Sequence, residues 1–323
     1  MRPAYIASFE NGTLKKASQQ AGQMLLSCNI CPRNCGIDRT TGKTGFCRTA
    51  LKAKVYNHMS HHGEEPPVSG TRGSGTIFFS NCNMACVYCQ NYDFSQSGQG
   101  REVTTEELAS FMLELQAAGC HNINLVTPTH VMPQILASLL VAIPQGLDIP
   151  LVYNSGGYEK ASVVGLLDGI VDIYLADMRY GDNNMAKEYS SAPDYVENNQ
   201  ASLKEMYRQT GLPQFDQEGV ITRGLIIRHL VLPNDVSGTG KIMEFISREL
   251  SPESYISLMS QYLPYHKAKA FPQIARRLKD KEYLKAQEIM DSFGLHNGWI
   301  QESYGEERFA GVNIKPSLLK DDQ

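Results

Sequence analysis

Beyond residue 75 the chain alternates two hydrophobic rhythms. Short runs rich in β-branched and aromatic residues fall at 76–79, 123–127, 151–154, 171–176, 225–232 and 255–259, and read as strands. Between and after them, apolar positions recur every three to four residues around 104–118, 132–143, 161–167, 194–210, 241–250 and 280–293, the period of amphipathic helices. The first helix is the best delimited. Thr104 and Glu107 have capping-box spacing, Leu108, Phe111, Met112 and Leu115 share a face, and Gly119 is placed to end it. Asp194 and Glu197 repeat the box pattern before a later helix that Gly211 closes. Strand–helix alternation predicts a parallel α/β fold, with right-handed crossovers that bring all six strand C-termini to one rim. Six units suit a partial (β/α)6 barrel. A doubly wound sheet has the same periodicity, so the pattern alone leaves both open. Residues before 70 are rich in Gly, Pro and polar types and show no long periodic segment. The expected division is therefore a small N-terminal segment, 1–70, beside a barrel with a C-terminal helical extension, 71–323.

Composition narrows the class. With 323 residues, 42% of them hydrophobic and 20% charged, the chain has the make-up of an ordinary globular protein with ample core material. A formal charge of -4 provides no global basic field, so no nucleic-acid partner is expected. The N-terminus lacks the apolar core of a signal peptide, and the most apolar window, 135–143, stops at Pro144 far short of a membrane span. A cytoplasmic location without membrane attachment is expected. In that reducing compartment, eight cysteines point to metal rather than to disulfides.

Seven of those cysteines form two groups. Cys82, Cys86 and Cys89 make a C-x3-C-x2-C run directly after the first strand. Three clustered thiolates suit a [4Fe–4S] cluster and leave one iron without a protein donor, whereas zinc normally closes its site with four ligands. An open iron adds nothing to a plain electron carrier but can bind a small molecule. Cys28, Cys31, Cys35 and Cys47 place four thiols within twenty residues. They suit structural zinc or a second, fully ligated iron–sulfur cluster, and spacing does not choose between these. Cys120 follows a helix end and reads as a small buried apolar residue.

The run Cys82-Asn-Met-Ala-Cys86-Val-Tyr-Cys89 resembles the signature of the radical S-adenosylmethionine (SAM) superfamily. Over nearly its whole length the chain is similar to the group named pyruvate formate-lyase activating enzyme-like. Cys31-Pro-Arg-Asn-Cys35-Gly-Ile, Gly63-Glu-Glu-Pro66, Asn124-Leu-Val-Thr-Pro-Thr-His130 and Arg228-His-Leu-Val-Leu-Pro233 carry that likeness together with the cysteine run. The resemblance implies the partial barrel, a cluster on Cys82, Cys86 and Cys89, and a unique iron that binds the methionine amino and carboxylate groups. It implies one-electron cleavage of SAM to a 5'-deoxyadenosyl radical, which abstracts hydrogen from a protein or small molecule. A flavodoxin or ferredoxin would supply the electron, and a glycyl-radical enzyme is among the implied protein substrates. The four-cysteine segment is an addition relative to authentic activators. The rival class is a non-catalytic iron–sulfur electron carrier or a metal-stabilised interaction protein.

Parallel α/β folds bind ligands beyond their strand C-termini, which selects the remaining candidates. Tyr88 matches the superfamily aromatic that packs near the adenine. Thr127 and Thr129 stand where relatives carry Gly-Gly-Glu, so their backbone carbonyls, not side chains, are expected to meet the ammonium. Asn154 and Ser155, followed by Gly156 and Gly157, suit a ribose diol approaching the backbone. Asp177 and Arg179 match an Asp-Leu-Lys-like element, with Arg able to grip a carboxylate in a fork. His130 reads as a rim histidine. Arg228 and His229 should face opposite sides of the sheet, one of them toward the lumen. Residues 57–66, with three histidines and Glu64-Glu65, suit either metal binding and proton transfer or a solvated loop. The glycine-rich 70–75 stretch precedes a strand and reads as a flexible lead-in.

Overall fold

The computed structural model describes residues 2–301. Its strands are β1 Ala53–His61, β2 Ser74–Phe79, β3 Arg101–Val103, β4 Ile123–Val126, β5 Leu151–Ser155, β6 Ile173–Asp177, β7 Gln214–Phe215, β8 Ile221–Leu230, β9 Tyr255–Met259 and β10 Gly298–Ile300. One sheet runs β3-β1-β2-β4-β5-β6-β8-β9-β10, with β7 paired to β8 off that path. From β2 to β10 every neighbouring pair is parallel. The parallel strands follow one another in chain order without a reversal, so each crossover steps to the same side. A doubly wound sheet would reverse direction at a switch point. The order therefore decides for the partial (β/α) barrel.

Side chains alternate across the strands. Outward residues such as Ile77, Phe79, Leu125, Tyr153, Tyr174, Ile227 and Leu258 join the main core under the surrounding helices. Those helices include Thr105–Ala117 and Met132–Ala142. Inward residues Val152, Ile173, Leu175 and Ile226 form a smaller cluster around Val68. Val68 comes from the short helix Pro66–Ser69, so this segment closes the lumen at the N-terminal ends of the strands. Gly70 permits the tight exit: its φ is +48°, and a Cβ there would stand 2.6 Å from His121.

Several expectations change. Residues before 70 do contain periodic structure: helices Ala4–Glu10 and Thr13–Gln23, the latter burying Leu14, Ala17 and Ala21. β1 also precedes 70, and it pairs antiparallel with β2, so the sheet continues across the expected division instead of breaking there. The 70–75 stretch is not a loose lead-in, since β2 begins at Ser74 and Gly73 to Gly75 are buried. Asp194 does not cap its helix. It lies at φ +53° with no side-chain capping bond, and Glu197 instead accepts from Asn183 Nδ2 at 2.8 and 2.9 Å. β10 adds a seventh parallel strand. Of the expected C-terminal extension, helix Asp280–Ser292 is present, and residues 302–323 lie outside the described residues. No helix among the described residues is long and apolar enough to cross a membrane.

Candidate functional site

The strand C-termini surround one open cavity. Its wall includes Cys82, Cys86, Tyr88 and Cys89 from the loop after β2, Thr127 after β4, Asn154 and Ser155 at the end of β5, Asp177 at the end of β6 with Arg179 just beyond it, and Arg228 on β8. Of the residues expected on the rim for cofactor binding, Tyr88, Thr127, Asn154, Ser155, Asp177 and Arg179 are thus brought together from four strand ends, whereas Thr129 lies off this cavity and donates to Glu159.

The cysteine loop is held by its own backbone. Ala85 and Val87 donate their N–H groups to Ser190 and Tyr189 carbonyls at 3.0 and 2.8 Å. Each thiol also has a donor or hydroxyl neighbour. Met84 N–H points to Cys82 Sγ at 3.3 Å, Ser190 Oγ lies 3.0 Å from Cys86 Sγ, and Ser95 Oγ lies 3.1 Å from Cys89 Sγ. Tyr88 extends the Cys86 contact into a chain, its hydroxyl 2.6 Å from that of Tyr180, which is 2.6 Å from Ser190 Oγ. Burial, followed by the neighbouring Cys86, pushes the Cys82 thiol up and Cys89 up to about 11. Arg179 works against both shifts. The Cys82 and Cys89 thiols therefore resist ionisation unless a cation neutralises them, so this donor set fits a positively charged iron–sulfur core. Among the described residues, no three Cys, His, Asp or Glu side chains converge on a single metal ion.

Below the cysteines lies a ladder of buried charges. Arg228 donates from Nε to Asp177 Oδ1 at 2.7 Å and from Nη2 to Asn154 Oδ1 at 2.6 Å, and its Nη1 is 3.6 Å from Glu64 Oε2. Asp177 also pairs with Arg179. Arg228 is thus the lumenal member of the Arg228–His229 pair. His229 faces the helix layer, with Nδ1 2.8 Å from the Met178 carbonyl and Nε2 3.1 Å from Thr239 Oγ1. Burial raises the Glu64 and Glu65 carboxyls above their usual range, and Arg228 offsets part of that rise. Arg179 Nε is buried without a hydrogen-bond partner. It is a free charged donor beside the thiols.

Other expectations are met differently. The 57–66 stretch is neither one metal site nor a solvated loop. His58 pairs with Glu114 at 3.1 Å on the outside, His61 meets Phe78 edge to face, and the two glutamates turn into the lumen. Gly157 serves packing: its φ is +75°, and a Cβ there would collide with the Asp177 carbonyl. Gly156 does face the cavity. Thr127 takes φ +61°, a conformation that a β-branched residue adopts only under strain. His130 points away from this cavity. It lines a second, smaller one walled by Cys28, Cys31, Cys35 and Cys47, so the four amino-terminal thiols do come together. Burial pushes the Cys31 thiol up to about 12. Cys120 is buried, as its position led us to expect.

Sequence reasoning missed Glu159. It is fully buried, accepts a hydrogen bond from Thr129 Oγ1, and lies 3.4 Å from the Tyr153 hydroxyl. Burial raises its carboxyl to about 8. A glutamate two residues past a Gly-Gly turn carries no motif, so only its surroundings disclose it.

Fold and cavity together define a partial-barrel α/β protein with a thiol-lined cavity at the C-terminal rim. The chain is 33% identical over 285 residues to uncharacterized protein MJ0674 of Methanocaldococcus jannaschii, a match spanning 85% of this chain and 77% of that protein. The chain belongs to that protein's family. No family model matches it. Among solved structures it is similar to HydG, a maturase of the [FeFe]-hydrogenase, at TM-score 0.44 and 12% identity over 68% of this chain and 48% of HydG. It is similar to methylornithine synthase (PylB) at TM-score 0.45 and 14% identity, over 69% of this chain and 63% of PylB. The HydG of Carboxydothermus hydrogenoformans gives TM-score 0.43 and 12% identity, over 66% of this chain and 50% of that one. The chain spans between about half and just under two thirds of the length of these structures.

Proposed function

We propose that the protein is a radical SAM enzyme whose cluster sits on Cys82, Cys86 and Cys89. The observation that carries this reading is the cavity itself: three thiols in C-x3-C-x2-C spacing share one wall with Asn154, Ser155, Asp177, Arg179 and Arg228 at the strand ends. When bound, the cluster would supply the electron that splits SAM into methionine and a 5'-deoxyadenosyl radical, which takes hydrogen from the substrate. A flavodoxin- or ferredoxin-type donor would deliver that electron.

The chain's own residues bind and orient. Arg179, with an unpartnered Nε, is placed to receive a carboxylate, and Asp177 fixes the guanidinium through its ion pair. Asn154 is held from both ends, its Oδ1 accepting from Arg228 and its Nδ2 donating to Glu64 over long contacts of 3.4 and 3.5 Å, so a ligand hydroxyl would compete with Glu64 for a fixed amide. Tyr88 is buried in the wall with its ring edge-to-face on Tyr262 at 5.7 Å, which leaves it rigid enough to bear on a purine. The strained Thr127 backbone turns out of its strand at the cavity, where its carbonyl would meet an ammonium. The proposed substrate is a protein or small molecule, with a glycyl-radical enzyme as the protein case. The thiols of Cys28, Cys31, Cys35 and Cys47 hold a separate, structural metal in this reading.

Anaerobic reconstitution with iron and sulfide, followed by dithionite and SAM, tests the assignment. The expected result is 5'-deoxyadenosine release that disappears in Cys86→Ala. Unchanged SAM under several reductants, with the cluster present, would leave an electron carrier instead. A glycyl-radical doublet raised in a candidate partner by electron paramagnetic resonance would identify the activase case.

A further inference from the structure

The Nδ1 atom of His130 is buried without a partner. Its Nε2 stands 2.9 Å from the Ser80 carbonyl, which only accepts, so Nε2 carries the proton and Nδ1 presents a lone pair. That imidazole lines the cavity of the four amino-terminal thiols. An acceptor with no donor in reach, beside four thiols, is what a metal atom satisfies. Arg33 and Arg39 line the same cavity. Arg39 is almost wholly buried and spends its donors on the Ala50 and His130 carbonyls, so its charge stays beside the thiols. Four thiolates around a doubly charged core leave two negative charges, and two guanidiniums offset them.

This cavity is also tied to the signature loop at three points. His130 holds Ser80, two residues before Cys82. Arg33 donates to the Asn83 carbonyl at 3.0 Å. Arg48, next to Cys47, donates to the Ser95 carbonyl at 3.0 Å, and Ser95 Oγ is the neighbour of Cys89 Sγ.

Resting on the reading that these four thiols hold a metal, we propose that they hold an iron–sulfur cluster, that His130 Nδ1 is a donor to it, and that this centre clamps the loop bearing Cys82, Cys86 and Cys89. The donor count favours a cluster over zinc: four thiols and an imidazole line this cavity, one donor more than a tetrahedral zinc takes, whereas a centre of several irons has room for the fifth.

The test uses the full chain as Cys82→Ala/Cys86→Ala/Cys89→Ala, reconstituted anaerobically with ferrous iron and sulfide. About four irons per chain, with cluster absorption and a reduced-state paramagnetic signal, are expected. No iron, or one zinc per chain, overturns the assignment. Neither result depends on SAM cleavage, so the SAM reading stands or falls separately. Adding His130→Ala to that background should keep the iron and shift the paramagnetic signal; an unchanged signal removes His130 from the centre. With the signature intact, His130→Ala and Cys28→Ser/Cys31→Ser should each speed iron loss from the signature cluster to a chelator. An unchanged rate in both refutes the clamp.

Discussion

At the scale of single residues, the site is governed by what burial does to charge. Arg228 is the hinge of the ladder: burial works against its charge, and Asp177, Glu65 and Glu64 together hold it protonated. Removing one partner of a buried ion pair is far costlier than the pair is worth, because the other charge stays desolvated. Arg228→Ala is therefore expected to lower unfolding free energy by about 3–5 kcal/mol, read by urea denaturation, with Arg228→Lys intermediate. The deficit should shrink as pH falls, since protonation of Glu64, whose carboxyl burial already raises, removes the orphaned charge. Glu159 makes a second residue-level prediction. Its folded-state value, about 8, lies above the ordinary 4.5, so the folded chain keeps a proton that the unfolded chain releases. Stability from this group is greatest at low pH and falls as pH rises between those two values. The limiting slope is about 1.4 kcal/mol per pH unit. Glu159→Gln should flatten the stability profile across that window, and an equal slope in both proteins would refute it. Of these residues, the cysteines and strand-end polar groups were legible in the sequence because ligand spacing and strand position are local properties. Glu159 was not, and Glu64-Glu65 stood out only as a pair suited equally to chemistry or to a solvated loop. Their character comes from what distant segments place around them, and an isolated glutamate in a loop looks solvated until the fold buries it.

At the scale of elements, local signals succeeded where they were complete. Thr104 accepts from Glu107 N–H at 3.2 Å and Glu107 reaches back to Thr104 N–H at 2.8 Å, the full reciprocal box. Thr104→Ala should cost about 1 kcal/mol, measured by thermal or chemical unfolding, while Glu106→Ala on the same turn should change little. The Asp194 box failed because Asn183 competes for the Glu197 carboxylate and the chain enters this helix through a left-handed residue. Six parallel strands were readable because inner strands, buried on both faces, become unbroken apolar runs. Strand β1 carries polar residues on an exposed face, and the edge strands β3 and β10 are only three residues long, so their pairing leaves a faint trace. Helix Thr13–Gln23 hid for a related reason. Its buried stripe is one leucine and two alanines among lysines and glutamines, enough to seat it on helix Met132–Ala142 but weak as a pattern.

At the scale of the whole molecule, the feature that the chain order conceals is the closure of the lumen. Residues 64–70 arrive before any parallel strand is made, yet they finish inside the barrel that those strands form. Val68 is fully buried against Val152, Ile173, Leu175, Ile221 and Ile226, residues drawn from three strands. Its backbone carbonyl accepts from Asn122 Nδ2 at 2.8 Å, which ties the plug to the start of β4. The same segment delivers Glu64 to Arg228 and the cavity. Plug, charge ladder and site therefore form one mechanical path, and loosening its apolar end should be felt at its polar end. Val68→Ala removes two buried methyl equivalents and leaves a small void, a loss of about 2 kcal/mol. Gly70→Ala should cost more than the same change at a solvent-facing glycine such as Gly146, because its Cβ would press on His121 and on Val220 at 2.6 and 2.9 Å from a left-handed backbone. Hydrogen exchange reads the coupling. Both variants should raise exchange at residues 64–70 and also at the Arg228 region of β8, whereas the outer helix Thr105–Ala117 should keep its protection. Exchange that rises only within 64–70 would show that the plug is a passive stopper with no hold on the site.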